Sequence, residues 1–202
     1  YYMYQSEWTD EPVLHVFPHW TWTDREEVDI WAYYSQADEV ELFLNGRSLG
    51  KASKEGEELH VMWRVPYEPG ELKAVSYRDG REVLTQTLRT AGEAAAVGLV
   101  SDRETLTFDD RELAFITVTI EDEHGTLLPD ADHTVTFTVE GAGRLKAVGN
   151  GNQTSHESFL ADHRQAFHGK CLLIVEPTAA GTIQITASSP GLTSKTIQLT
   201  SR

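Results

Sequence analysis

The feature that most constrains this chain is a repeated period of two. Val28-Asp29-Ile30-Trp31-Ala32-Tyr33, Val40-Glu41-Leu42-Phe43-Leu44, Leu59-His60-Val61-Met62-Trp63, Leu72-Lys73-Ala74-Val75-Ser76-Tyr77 and Val83-Leu84-Thr85-Gln86-Thr87 follow one another through the first half. Successive side chains on a strand point to opposite faces, so most of these runs read as half-buried strands. Turn residues separate them: Gln36-Ala37-Asp38 joins the first two as a hairpin, and Asn45-Gly46, Pro69-Gly70 and Asp79-Gly80 punctuate the rest.

After Ala91 to Ala96 the pattern resumes. Ala114 to Ile120, Thr134 to Val139, Cys171 to Val175, Thr182 to Ala187 and Thr196 to Leu199 alternate, with Thr frequent at the polar positions and Pro190-Gly191 as the last turn. Beyond the N-terminus no stretch of useful length has helical spacing. The fold expected is therefore all-β, two tandem immunoglobulin-like antiparallel sandwiches preceded by a short helical segment. A length of 202 residues suits two such domains. All five tryptophans precede Gly92, which indicates two separately built cores. The boundaries expected are 1–22 for a leading segment, 23–92 for the first sandwich and 93–202 for the second.

Composition removes several functions. A net charge of −15 repels nucleic-acid phosphates and anionic membrane surfaces. No apolar run reaches the roughly 18 residues of a membrane helix. Neither nucleic acid nor membrane is expected as a partner, and a neutral carbohydrate stays open. Cys171 is alone, which excludes an intrachain disulfide, and Leu172, Leu173 and Ile174 beside it indicate a buried thiol. The chain begins inside what reads as a structured element, as a piece of a longer polypeptide would.

Tyr1-Tyr2-Met3-Tyr4-Gln5-Ser6-Glu7-Trp8-Thr9-Asp10, with Val13-Leu14-His15-Val16-Phe17-Pro18-His19-Trp20-Thr21-Trp22 after it, resembles the end of the catalytic barrel in β-galactosidase-like members of glycoside hydrolase family 2. Val40 to Gly50 is similar to the sandwich that succeeds that barrel. Pro129-Asp130-Ala131-Asp132, Val135 to Gly141, Gly149-Asn150-Gly151-Asn152, Ser155 to Phe159 and Ala166 to Gly169 are similar to the family's C-terminal immunoglobulin-like domain. The resemblance implies a parent that hydrolyses O-glycosidic bonds with retention, using two carboxyl groups about 5–5.5 Å apart. It also implies that those carboxyls lie on barrel strands upstream and that the location is extracytoplasmic; no cofactor is expected for this chain.

The site residues expected are few, and none is catalytic. Trp20 and Trp22, at strand spacing, offer either aromatic faces to a sugar or packing area to a core. His15 and His19 are four apart, but Pro18 breaks the helix a zinc pair would need. Glu121-Asp122-Glu123 with Asp130 and Asp132 lacks the ligand pattern of a calcium loop and reads as a solvated turn. Glu157 and Glu176 stand isolated, and Ser155-His156-Glu157 are consecutive, so they cannot align as a triad. No metal is expected. Gly149 to Gly169 is a long connection whose glycines suit unusual backbone, and Asn150, Asn152, His156 and His163 either brace it or meet a neighbouring domain. The function expected is a structural module supporting the catalytic barrel of the same polypeptide. A carbohydrate-binding module and a bacterial adhesive surface domain are the alternatives.

Overall fold

The computed structural model describes residues 1–108 and 112–202. They form two compact units, Tyr1–Thr90 and Ala91–Arg202, each a pair of facing β-sheets.

In the first unit a helix, α1 (Tyr2–Trp8), precedes strand β1 (Val13–Phe17), which pairs antiparallel with β2 (Glu27–Ser35); β5 (Val61–Pro66) lines the other side of β2. The second sheet runs β4 (Arg47–Ala52), β3 (Glu39–Leu44), β6 (Glu71–Arg78), β7 (Arg81–Arg89). Alternate residues meet between the sheets: Ile30, Ala32 and Tyr34 from β2 and Val61 and Val65 from β5 face Val40, Leu42, Leu44, Leu72 and Ala74. Trp20 fills one end with no exposed surface, its Nε1 donating to the Glu68 carbonyl at 3.0 Å. An indole hides about 200 Å², so its burial favours folding by about 5 kcal/mol. Gln86 of β7 ties the sheets together, accepting from the Val16 amide at 2.7 Å and donating to its carbonyl at 3.4 Å.

Three expectations change here. The strands at 28–33 and 40–44 are not a hairpin: β2 and β3 lie in different sheets, and the link between them turns the corner of the sandwich. Gln36 takes φ 54° there, and the Tyr34 hydroxyl donates to the Asp38 carbonyl at 3.3 Å. A turn signal specifies that the chain reverses, and both strands bury alternate residues in the one core from opposite sides. Residues 20–22 form no strand, so Trp20 and Trp22 share no sheet face. Nor is 1–22 separate from the first sandwich, since β1 is an integral strand, Val16 and Trp20 belong to the core, and α1 is anchored by a Lys54–Glu7 ion pair at 2.9 Å.

The second unit places β12 (Gly143–Gly149), β14 (Lys170–Pro177), β10 (Ala114–Glu121) and β8 (Ala96–Ser101) in one sheet, in that order. The other runs β13 (His163–Gln165), β11 (Thr134–Gly141), β15 (Gly181–Ser188), β16 (Lys195–Ser201), β9 (Thr105–Leu106), antiparallel except for the parallel pair of β16 with β9. Ile116, Val118, Ile120, Leu173 and Val175 meet Val135, Phe137, Ile183, Ile185 and Leu199 across the core. Cys171 is buried among them, and burial pushes its thiol pKa up to about 12, so it is unreactive near neutrality.

Candidate functional site

Three places combine polar or aromatic side chains in ways the core does not require. The first surrounds the two tryptophans singled out by sequence. Trp20 is fully enclosed and offers no ring face to solvent. Trp22 is half-buried at the edge of a recess of about 370 Å³ that also includes Arg25, Asp29 and Arg64. The His19 ring stacks on Trp22 at 4.2 Å, and the Arg25 guanidinium lies 4.6 Å from its centroid. Its indole is thus already engaged by protein groups. Asp29 and Arg64 form a two-pronged ion pair at 2.8 and 3.0 Å, which holds the Asp29 carboxyl below its ordinary range.

The second place is the 149–169 connection. Asn150 donates to the Gln165 carbonyl at 2.8 Å and accepts from the Asn152 amide at 3.1 Å, and Asn152 in turn accepts from the amide and hydroxyl of Thr154. Both asparagines brace the loop. His156 is exposed, and His163 opens β13, where its Nδ1 meets Asp162 at 2.8 Å. The residue that organises the loop is Arg164, 1% exposed and absent from the sequence expectations. It donates to the carbonyls of Val148 and Ser158, to the Ser155 hydroxyl and to Glu157, which also accepts from the Gln165 amide. In the three-residue strand His163-Arg164-Gln165 the middle residue is the inward one, but an all-polar triplet has no apolar alternation by which the sequence could show it. Contrary to expectation, Gly149 and Gly151 do not take left-handed backbone; Gly169 does, with φ 72°.

Two of the carboxylates singled out in the sequence, Glu176 and Asp122, are engaged in pairing or in capping. Glu176 is held by Lys146 at 2.9 Å and by Arg144, and despite some burial the two cations keep its pKa low. A general acid needs the opposite shift. Asp122 is buried rather than a solvated turn residue, and accepts from the amides of Gly92, His124 and Thr126 at 2.9, 2.9 and 2.8 Å. Burial raises its pKa, but those amides outweigh it and the net shift is downward. Among the described residues no cluster of three or more His, Cys, Asp or Glu side chains is placed to hold a metal ion.

The third place is the outer face of the β1-β2-β5 sheet, which sequence reasoning missed because its residues come from distant segments. Cross-strand pairing sets His15 beside Tyr33, Phe17 beside Trp31, and Trp31 beside Met62. Tyr2 of α1 stacks on His15 at 3.7 Å, Phe17 lies 4.9 Å from Tyr33, and the Trp31 and His60 rings are parallel at 4.3 Å. Partial burial lowers the His15 pKa.

This tandem pair of antiparallel sandwiches, with its aromatic flank, matches known proteins over its whole length. Residues 97–198 match the model for "glycoside hydrolase family 2 C-terminal domain 5", and residues 25–84 match a domain of unknown function, DUF4982. The chain belongs to glycoside hydrolase family 2, as part of its C-terminal region. It is 50% identical over 193 residues to the β-galactosidase BoGH2A of Bacteroides ovatus, an alignment covering 95% of this chain and 23% of that enzyme. Among solved structures it is similar to a β-glycosidase from Bacteroides vulgatus, with TM-score 0.91, 32% identity and coverage of 98% of this chain and 26% of the other. It is also similar to a family 2 member from Bacteroides cellulosilyticus, with TM-score 0.86, 33% identity and coverage of 100% and 30%. The chain therefore spans between a fifth and a third of the length of each of these relatives.

Proposed function

We propose that this chain is a non-catalytic accessory portion of a longer family 2 glycosidase that acts on β-galactosides, and that its two sandwiches support and position the catalytic barrel. The observation that carries this reading is the alignment of 95% of the chain with 23% of a β-galactosidase at 50% identity. A barrel needs about 250 residues, and its catalytic side chains project from strand ends, so the paired carboxyls of a retaining glycosidase belong to the part of such an enzyme outside these sandwiches. The state of the carboxylates supports the same view. Glu157 is committed to Arg164 and Ser155, and Glu176 to two cations. The neighbours of Trp22 count against a sugar platform, which needs a free ring face. The test is turnover of an aryl β-galactoside by the purified chain. None is expected, and turnover abolished by changing an acidic residue within residues 1–202 would overturn the reading.

A further inference from the structure

We propose that the outer face of the β1-β2-β5 sheet is a protein-docking surface, and that its occupant is the portion of the polypeptide that, in the longer family members, lies N-terminal to these sandwiches. This rests on the accessory-portion reading above. An antiparallel sheet with one solvated face places polar residues there. Here the outward positions carry His15, Phe17, Trp31, Tyr33 and Met62, with Trp31 37% and Met62 47% exposed, and His60 extends them. A contiguous apolar area of this kind on a folded unit marks an interaction site. The polar rim that borders such sites is also present, in Glu27 and the Asp29–Arg64 ion pair at one end of the same strands.

The shape of the surface points to a protein partner. Tyr2 from α1 stacks on His15 of β1 with planes 16° apart, and His60, just before β5, stacks on Trp31 of β2 with planes 3° apart. One face of each of these rings is covered by its neighbour, and the exposed Met62 thioether lies beside Trp31 across the strands. An uneven surface of stacked rings with a flexible thioether suits interdigitation with the side chains of another protein. The occupant is fixed by continuity and length. Helix α1 lies on this flank, Tyr2 is part of the ring cluster, and Tyr4 and Trp8 on the same helix stay exposed. The matching family model describes a C-terminal domain, and some 70 to 77% of each relative lies outside the matched portion. Residues preceding α1 in such a protein enter directly from this face.

The experiment compares side-chain oxidation by hydroxyl radicals or peroxide, read by peptide mass mapping, in the chain as given and in the longer polypeptide that contains it. Met62 and Trp31 should react readily in the former and about tenfold more slowly in the latter, as at the dry core of an interface. Full reactivity of both in the longer polypeptide, with other positions of residues 1–202 protected, would overturn the docking assignment and leave the accessory reading standing. No protection anywhere in residues 1–202 would remove both. Protection in the isolated chain that grows with its concentration would assign the face to a second copy, and protection on adding galacto-oligosaccharides would assign it to sugar; either result overturns the proposal. A Trp31→Ser, Met62→Ser variant, checked by its own melting curve, should leave the isolated chain folded while weakening its association with the separately produced remainder of the enzyme.

Discussion

Asp122 and Arg164 show how much of the second sandwich rests on single polar side chains. Replacing Asp122 by Asn removes the charge that three backbone amides converge on, and should destabilise the unit by about 2 kcal/mol at neutral pH. The folded carboxyl titrates below the unfolded value of about 3.9. Its contribution is therefore complete above that pH and is lost as pH falls through the lower folded value. Urea midpoints of wild type and Asp122→Asn should run parallel above about pH 5 and converge in acid; a gap that stays constant into strong acid would contradict the assignment. Arg164→Met should cost about 3 kcal/mol, because two carbonyls and the partly buried Glu157 lose their donor. Arg164→Lys should recover less than half of that in the same denaturation assay, since one ammonium cannot reach donors spread over a planar guanidinium. Neither residue is legible as important in the sequence. An aspartate in a turn and an arginine in a polar loop have the same sequence signature whether they are solvated or buried, and only the converging backbone distinguishes them.

At the level of elements, strands with clean alternation are legible in the sequence, and those that break it are not. Strand β8 hides in an Ala-rich stretch because Gly98 interrupts its inward Val97 and Leu99; a side chain at Gly98 would collide with Thr119 and Glu121. Strand β12 carries a bulge between Leu145 and Ala147, which shifts its period. The turns expected at Asn45-Gly46 and Asp79-Gly80 are present, with left-handed backbone at all four residues. The corner at residues 35–38 differs from the expected hairpin because turn chemistry does not say which sheet the next strand joins. The long loop offers a paired test of its glycines. Gly169→Ala should cost at least about 3 kcal/mol, since its backbone is left-handed and a Cβ would sit 2.0 Å from the Leu128 carbonyl oxygen. Gly149→Ala, with open space around the added carbon, should stay within about 0.5 kcal/mol. Equal effects in thermal melts would contradict the loop geometry.

Across the whole molecule, each unit has its own closed core, so residues 91–202 expressed alone should unfold in a single cooperative transition. A product without a cooperative melt would show that the first unit completes that core. Family membership is legible in ordered segments such as Val40 to Gly50 and Val135 to Gly141, whereas the aromatic flank is not, because His15, Trp31 and Met62 become neighbours only once three strands pair. In the function proposed above, these sandwiches support a catalytic domain without performing its chemistry. The most direct measurement compares the longer polypeptide with a version lacking residues 1–202, reading both turnover of an aryl β-galactoside and the half-life of activity on heating. Support without chemistry predicts a kcat within a few-fold of the parent alongside markedly faster thermal inactivation, whereas complete loss of turnover from a still-folded catalytic domain, or an unchanged half-life, would contradict it.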